Sequence, residues 1–156
     1  MKPVLIAFCF CLSIAPVLWS APRPAAQQTS ATAPTGTVWD AVYTQAQAKR
    51  GQEQYDVHCT SCHGADMQGD GADVPALSDL RFARKWTGRT LKELFQLISQ
   101  RMPENRPATL SKDAYADVLA YILQVNGFPA GVRALPSEPD TLARIVFEET
   151  APDGQR

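Results

Sequence analysis

Three stretches of this chain space their apolar residues with the period of an α-helix, and a fourth, at the start, is apolar almost throughout. Between Asp40 and Asp56, Tyr43, Ala46, Ala48, Gly51 and Tyr55 fall mostly three or four residues apart among Gln, Lys, Arg and Glu, which predicts an amphipathic helix. A second helix is predicted from Thr90, where Thr90-Leu91-Lys92-Glu93 reads as a capping box and Leu91, Leu94, Phe95 and Ile98 share one face. It must stop before Met102-Pro103, because the residue preceding a proline is pushed out of helical geometry. The third helix has the plainest pattern. Ser111 is a good N-cap, Tyr115, Val118, Leu119 and Ile122 repeat at helical spacing, and Asn126-Gly127 followed by Phe128-Pro129 ends it. No segment alternates long enough to predict a strand, and no internal repeat is visible, so the expected fold class is all-α.

The connections differ in character. Gly64–Asp79, with three Gly, one Pro and four Asp, reads as an irregular loop, as does Pro103–Thr109. Residues 21–39 are rich in Ala, Pro, Thr, Ser and Gln, nearly uncharged and without apolar period, which predicts a flexible leader with folding starting near Trp39. Residues 1–20 place one Lys ahead of an apolar run from Val4 to Trp19, the pattern of an export signal, with a cleavage site after Ser20. The same run, if retained, would be an N-terminal anchor, although it is short for a bilayer span and interrupted by Ser13 and Pro16. The expected organisation is a signal at 1–20, a leader at 21–39, one domain at 40–130 and an extension at 131–156. In that extension Leu142, Ile145, Val146 and Phe147 form a short apolar pattern that can strap across the domain or meet a partner.

Composition narrows the function classes. With 156 residues, 45% apolar and 20% charged, the chain is an ordinary globular protein with room for one modest core. Fifteen Lys and Arg against sixteen Asp and Glu give a net charge of −1, so no broad positive field favours nucleic acid. Of the four cysteines, Cys9 and Cys11 lie inside the export run, which leaves Cys59 and Cys62 to the exported protein. A disulfide between them would close a loop too short to restrict the unfolded chain much. These two thiols are expected to carry chemistry.

The stretch Cys59-Thr60-Ser61-Cys62-His63 has the Cys-x-x-Cys-His spacing of a c-type haem attachment site. On one helical turn both thiols and the imidazole project to one side, so the thiols can add to the vinyl groups of a haem edge while the imidazole reaches iron. Zinc is a poorer reading, since His58, Cys59, Cys62 and His63 would have to supply four tetrahedral ligands from six consecutive residues. A thiol-disulfide redox site would want a strand-helix framework that the pattern does not predict. For the second axial position His58 is tied to the attachment edge and Met67 is too close to His63 for the chain to pass round the macrocycle. Met102, at the end of the second helix, has length enough to reach the far face, although a lone Met is more often a core residue. A His63/Met102 pair would close both axial positions and raise the potential, which suits electron transfer.

With these residues in place the chain resembles a class I (monohaem) cytochrome c of bacterial type, over roughly residues 41–130. Gly51 and Tyr55 stand where that family packs its N-terminal helix against its C-terminal helix, and Val118 and Tyr121 match the partner positions. The resemblance implies three to four helices wrapped around one covalently attached haem. It further implies that the Pro75 carbonyl orients His63, that Leu77 packs on the haem, and that Met102 in Arg101-Met102-Pro103 is the sixth ligand. Trp86 stands where the family often donates an indole N–H to a haem propionate, with Lys85 or Arg84 offsetting charge nearby; a half-buried packing role is the competing reading.

The expected function is therefore that of a periplasmic electron carrier between redox proteins, with no catalysis of its own. The strings Asn126–Gly131 and Leu135–Ile145 are similar to cytochromes associated with quinoprotein dehydrogenases, which implies such a dehydrogenase as donor and a terminal oxidase or other cytochrome as acceptor. Two alternatives stand beside this one: a haem subunit of a larger dehydrogenase, and a haem enzyme or gas sensor with a labile sixth ligand near Arg101, Glu104 and Arg106. Membrane association is expected only if residues 1–20 are retained, as an inner-membrane anchor facing the periplasm. Asp70 and Asp73 are expected to be solvated loop residues, a cation site being the alternative.

Overall fold

The structure is a computed structural model that describes residues 33–152; the expected export signal and most of the expected leader lie outside the described residues. In chain order the elements are β1 (Gly36–Thr37), α1 (Gln45–His58), α2 (Thr60–His63), α3 (Asp79–Trp86), α4 (Leu91–Arg101), α5 (Lys112–Val125), α6 (Pro139–Leu142) and β2 (Ile145–Val146). The fold is all-α in substance. Four helices of two or more turns carry it, α2 and α6 are single turns, and among the described residues the sheet is one two-residue parallel pair.

The scaffold is the pairing of α1 with α5, the most extensive contact between elements. The helix expected from Asp40 begins at Gln45, where Thr44 caps it by accepting from the Gln47 N–H at 3.1 Å. The four residues before it instead hold Tyr43, buried, with its hydroxyl donating to the Phe128 carbonyl at 2.6 Å. Gly51 is where the two helices cross. A methyl group there would overlap the Asp117 backbone carbonyl and press on Tyr121, so only hydrogen permits the approach. Beside it Tyr55 and Tyr121 meet edge to face with centroids 5.6 Å apart. At the rim Arg50 makes a bidentate pair with Asp117, both bonds at 2.9 Å.

The capping box on α4 is present in its Glu93 arm, the carboxylate accepting the Thr90 N–H at 2.9 Å. On α5 Ser111 accepts the Ala114 N–H at 3.1 Å, and Gly127 follows the helix with a positive φ of 82°. The segment between the Gly-rich loop and Thr90 differs from expectation by containing a helix, α3. Asp79 starts it by accepting from the Arg81 and Phe82 N–H groups, and Phe82 and Trp86, one turn apart, are buried.

The end of the expected leader is folded. Thr35 and Gly36 donate to the Arg144 carbonyl, Gly36 and Thr37 pair with Ile145 and Val146, and Val38 is fully buried. Packing thus starts several residues before Trp39, because the partner of this stretch is the far end of the chain. From Gly131 to Glu149 the expected extension lies across the domain as a strap, burying Leu135, Leu142 and Phe147. Gln47, itself buried, receives the strap's Leu135 N–H on Oε1 at 2.7 Å and donates Nε2 to the Leu135 carbonyl at 2.9 Å. Among the described residues no helix is long and apolar enough to cross a membrane.

Candidate functional site

The end of α1 and the single turn of α2 place the motif. Cys59 closes α1 by donating its N–H to the Tyr55 carbonyl at 2.8 Å, and its own carbonyl accepts from Cys62 at 3.1 Å and His63 at 2.9 Å. The three functional residues therefore share one turn. Cys59 is half-buried, Cys62 exposed and His63 buried. Burial and the nearby Cys62 push the Cys59 thiol up to about 11. A thiol used for redox exchange needs the opposite shift, which counts against the disulfide reading. Among the described residues no three His, Cys, Asp or Glu side chains converge as metal ligands.

His63 Nδ1 lies 3.0 Å from the Pro75 carbonyl. A carbonyl only accepts, so Nδ1 carries the proton and Nε2 keeps its lone pair. The loop between them is built to bring Pro75 back. Gly69 has a positive φ of 66°, and a Cβ there would strike the Val74 carbonyl. Asp70 accepts from the Ala72 and Val74 N–H groups at 2.9 and 2.8 Å, which holds its carboxyl below the usual range. These bonds shape the loop. Leu77 is fixed on both sides, its N–H donating to the Met67 carbonyl at 2.8 Å and its carbonyl accepting from Asn126 Nδ2 at 2.9 Å.

A cavity of about 370 Å³ opens beside this turn. Cys59, Cys62, His63, Pro75, Leu77, Trp86 and Met102 all line it, so the seven residues expected from the sequence to meet the haem come to one place. Apolar walls come from Phe82, Leu94, Ile98, Val118 and Ile122. Met67, set aside as a ligand, is instead fully buried in the core. Lys85 lines the cavity beside Trp86, whereas Arg84 reaches Glu149 on the strap at 3.6 Å. The Arg89 guanidinium lies 4.9 Å from the centroid of the Trp86 ring.

A family model described as cytochrome c oxidase, cbb3-type, subunit III, matches residues 46–122, from the first turn of α1 through the attachment motif and Met102 to α5. This stretch is a cytochrome c domain, as the class I resemblance implies. No curated protein matches. Among solved structures it is similar to the sulfane dehydrogenase SoxCD from Paracoccus pantotrophus, with 17% identity, a TM-score of 0.47, and coverage of 88% of this chain and 73% of that one.

This cytochrome carries a covalently bound c-type haem and serves haem-based electron transfer. The residues present fit that group. Two thiols and an imidazole leave one helical turn beside an apolar cavity, and the imidazole is already held in the tautomer that can bind iron. Cys59 and Cys62 would hold it by thioether bonds, and bound there it would supply a one-electron couple.

Sequence reasoning missed Phe82, Tyr115 and Asn126. Phe82 had a signal, the four-residue step to Trp86 after the Ser78-Asp79 cap. Tyr115 was seen only as a core position of α5, and Asn126 only as a helix stop. Their polar atoms in fact reach back to the two loops that carry the axial candidates, with Tyr115 Oη donating to the Met102 carbonyl at 2.6 Å.

Proposed function

We propose that the cytochrome is an exported one-electron carrier, its haem held by Cys59 and Cys62 and its iron ligated by His63 and Met102. The observation that carries this reading is the lining of a single apolar cavity by His63, with Nδ1 committed to Pro75, and by Met102 at the end of α4. The chain's other histidine, His58, is in the residue next to Cys59 and is held with it at the attachment edge. Two strong axial ligands leave no position for substrate, so the protein relays electrons between redox proteins and makes or breaks no other bond. The apolar run at residues 1–20 supports export to the periplasm, with an inner-membrane anchor as the alternative form. Within that compartment we assign a quinoprotein dehydrogenase as donor and a terminal oxidase or another cytochrome as acceptor, on the strength of the Asn126–Gly131 and Leu135–Ile145 strings.

The test is the visible spectrum of the reduced, haem-loaded protein before and after carbon monoxide. No prompt change is expected, because both axial positions are taken and carbon monoxide can bind only as slowly as the sixth ligand lets go. A prompt shift would overturn the closed iron and favour an enzyme or sensor with a labile sixth ligand.

A further inference from the structure

The loop from Met102 to Leu110 leaves the end of α4 and returns to the start of α5, and its middle, Glu104 to Thr109, is exposed. Its internal ties are local: Arg106 donates to the Pro103 carbonyl at 2.9 Å, and the Thr109 hydroxyl to the Arg106 carbonyl at 2.9 Å. Met102 donates its N–H to the Ile98 carbonyl of α4 at 3.0 Å and Leu110 packs against the core, but what bonds both ends of the loop to α5 is one phenol. Tyr115 Oη donates to the Met102 carbonyl at 2.6 Å and accepts from the Leu110 N–H at 3.4 Å, so a single oxygen bridges the two ends of the loop. Tyr115 is itself buried, in the first turn of α5, and its ring lines the cavity.

We propose that the Tyr115 hydroxyl is a latch that holds Met102 in place and thereby sets how readily the sixth position opens to a small neutral ligand such as carbon monoxide. It is a positioning residue: it bonds the Met102 backbone and leaves the thioether free. This rests on the reading of Met102 as the sixth ligand. The physical reason is that a backbone carbonyl fixed on rigid α5 restricts the excursions of the residue that carries it. Without the hydroxyl both loop ends lose their bond to α5 together, and among the described residues no other hydrogen bond joins the exposed loop to that helix.

Asn126 provides the internal control. At the other end of α5 it donates to the Leu77 carbonyl at 2.9 Å, so it too ties the helix to a cavity loop, but to the one on the His63 side. Generic loosening of the pocket would follow from losing either bond. A latch on Met102 would follow from losing only one.

The experiment compares the haem-loaded wild type with Tyr115→Phe and Asn126→Ala, measuring the rate of carbon monoxide binding to the reduced protein and the melting temperature of each. Tyr115→Phe is expected to bind carbon monoxide about tenfold faster than wild type, the weight of roughly one buried hydrogen bond. Asn126→Ala, acting on a separate loop, should stay within about twofold of wild type. Equal rates for Tyr115→Phe and wild type would overturn the latch while leaving Met102 as ligand, and so would equal acceleration in both variants. Prompt binding by the wild type would instead overturn the reading of Met102 on which the latch depends. Amide hydrogen exchange supplies a check that needs no variant: in the wild-type holoprotein the Leu110 N–H should be protected, and exchange at the rate of its exposed loop neighbours would overturn the proposal.

Discussion

An imidazole binds iron through an unprotonated nitrogen, and the bond from His63 Nδ1 to the Pro75 carbonyl decides which nitrogen that is. The same economy governs Trp86. Its ring is buried in the cavity wall with Arg89 on one face and Lys85 beside it, a basic setting that suits the acidic edge of a haem. Trp86→Phe keeps the ring and removes the indole N–H. If that N–H is donated to a propionate, the variant's midpoint potential falls by up to about 40 mV, one ordinary hydrogen bond of about 1 kcal/mol converted for a one-electron couple. An unchanged potential with full haem content would assign Trp86 to packing alone. The attachment residues were legible in the sequence because Cys59, Cys62 and His63 are joined by spacing within one turn. Met102, reached by elimination, was legible as a residue of the cavity lining. Tyr115 and Asn126 were not, since their partners are backbone carbonyls of loops that only the folded chain brings within reach.

At the scale of elements, the crossing of α1 and α5 holds the whole site, because α1 ends in the attachment motif and α5 reaches both cavity loops. Gly51→Ala places a methyl against the Asp117 carbonyl, backbone that cannot step aside without separating the helices. The expected loss is about 2–3 kcal/mol, at the upper end of ordinary overpacking, read as a fall in the thermal midpoint. A variant as stable as wild type would mean that the crossing tolerates a wider gap. On α4 the Thr90 N–H, and then Arg89, hold the Glu93 carboxyl below its ordinary 4.5. A depressed folded value gives stability that is present above pH 4.5 and is lost as pH falls through the folded value. Glu93→Gln should therefore flatten the stability profile over that acid range, and an unaltered profile in chemical denaturation against pH would refute the assignment. The cap on α4 was readable because its two partners are three residues apart. The helix α3 was not, because eight residues with two buried aromatics carry too little periodicity to stand out from the Gly- and Asp-rich loop before them.

Across the whole molecule the strap joins parts that lie far apart in sequence. Gly131 donates to the Tyr43 carbonyl at 2.6 Å, Phe147 exchanges bonds with the Gly88–Arg89 turn, and the Trp39 indole donates to the Glu148 carbonyl at 3.0 Å. Its buried Phe147 stands edge to face with Phe128 at 5.0 Å and with Phe82 at 5.8 Å, and Phe82 is in turn a cavity wall. The strap thus supports the site from behind without lining it. Its apolar residues were visible in the sequence as Leu142, Ile145, Val146 and Phe147, but their partner was not, because Gly36 pairs with Ile145, 109 residues further along the chain. A protein truncated after Ala134 loses Leu135, Leu142 and Phe147, each contributing roughly 1.5–3 kcal/mol by burial, against the chain entropy regained by freeing the segment. The attachment motif, Met102 and the α1–α5 crossing all precede the cut, so the truncated protein should still take up haem. It should melt at a clearly lower temperature, with an altered circular dichroism signal in the haem region as Phe82 loses its backing. A truncated holoprotein with the full-length melting temperature and haem signal would show that the strap merely rests on the domain, and that its packing contributes nothing to the site.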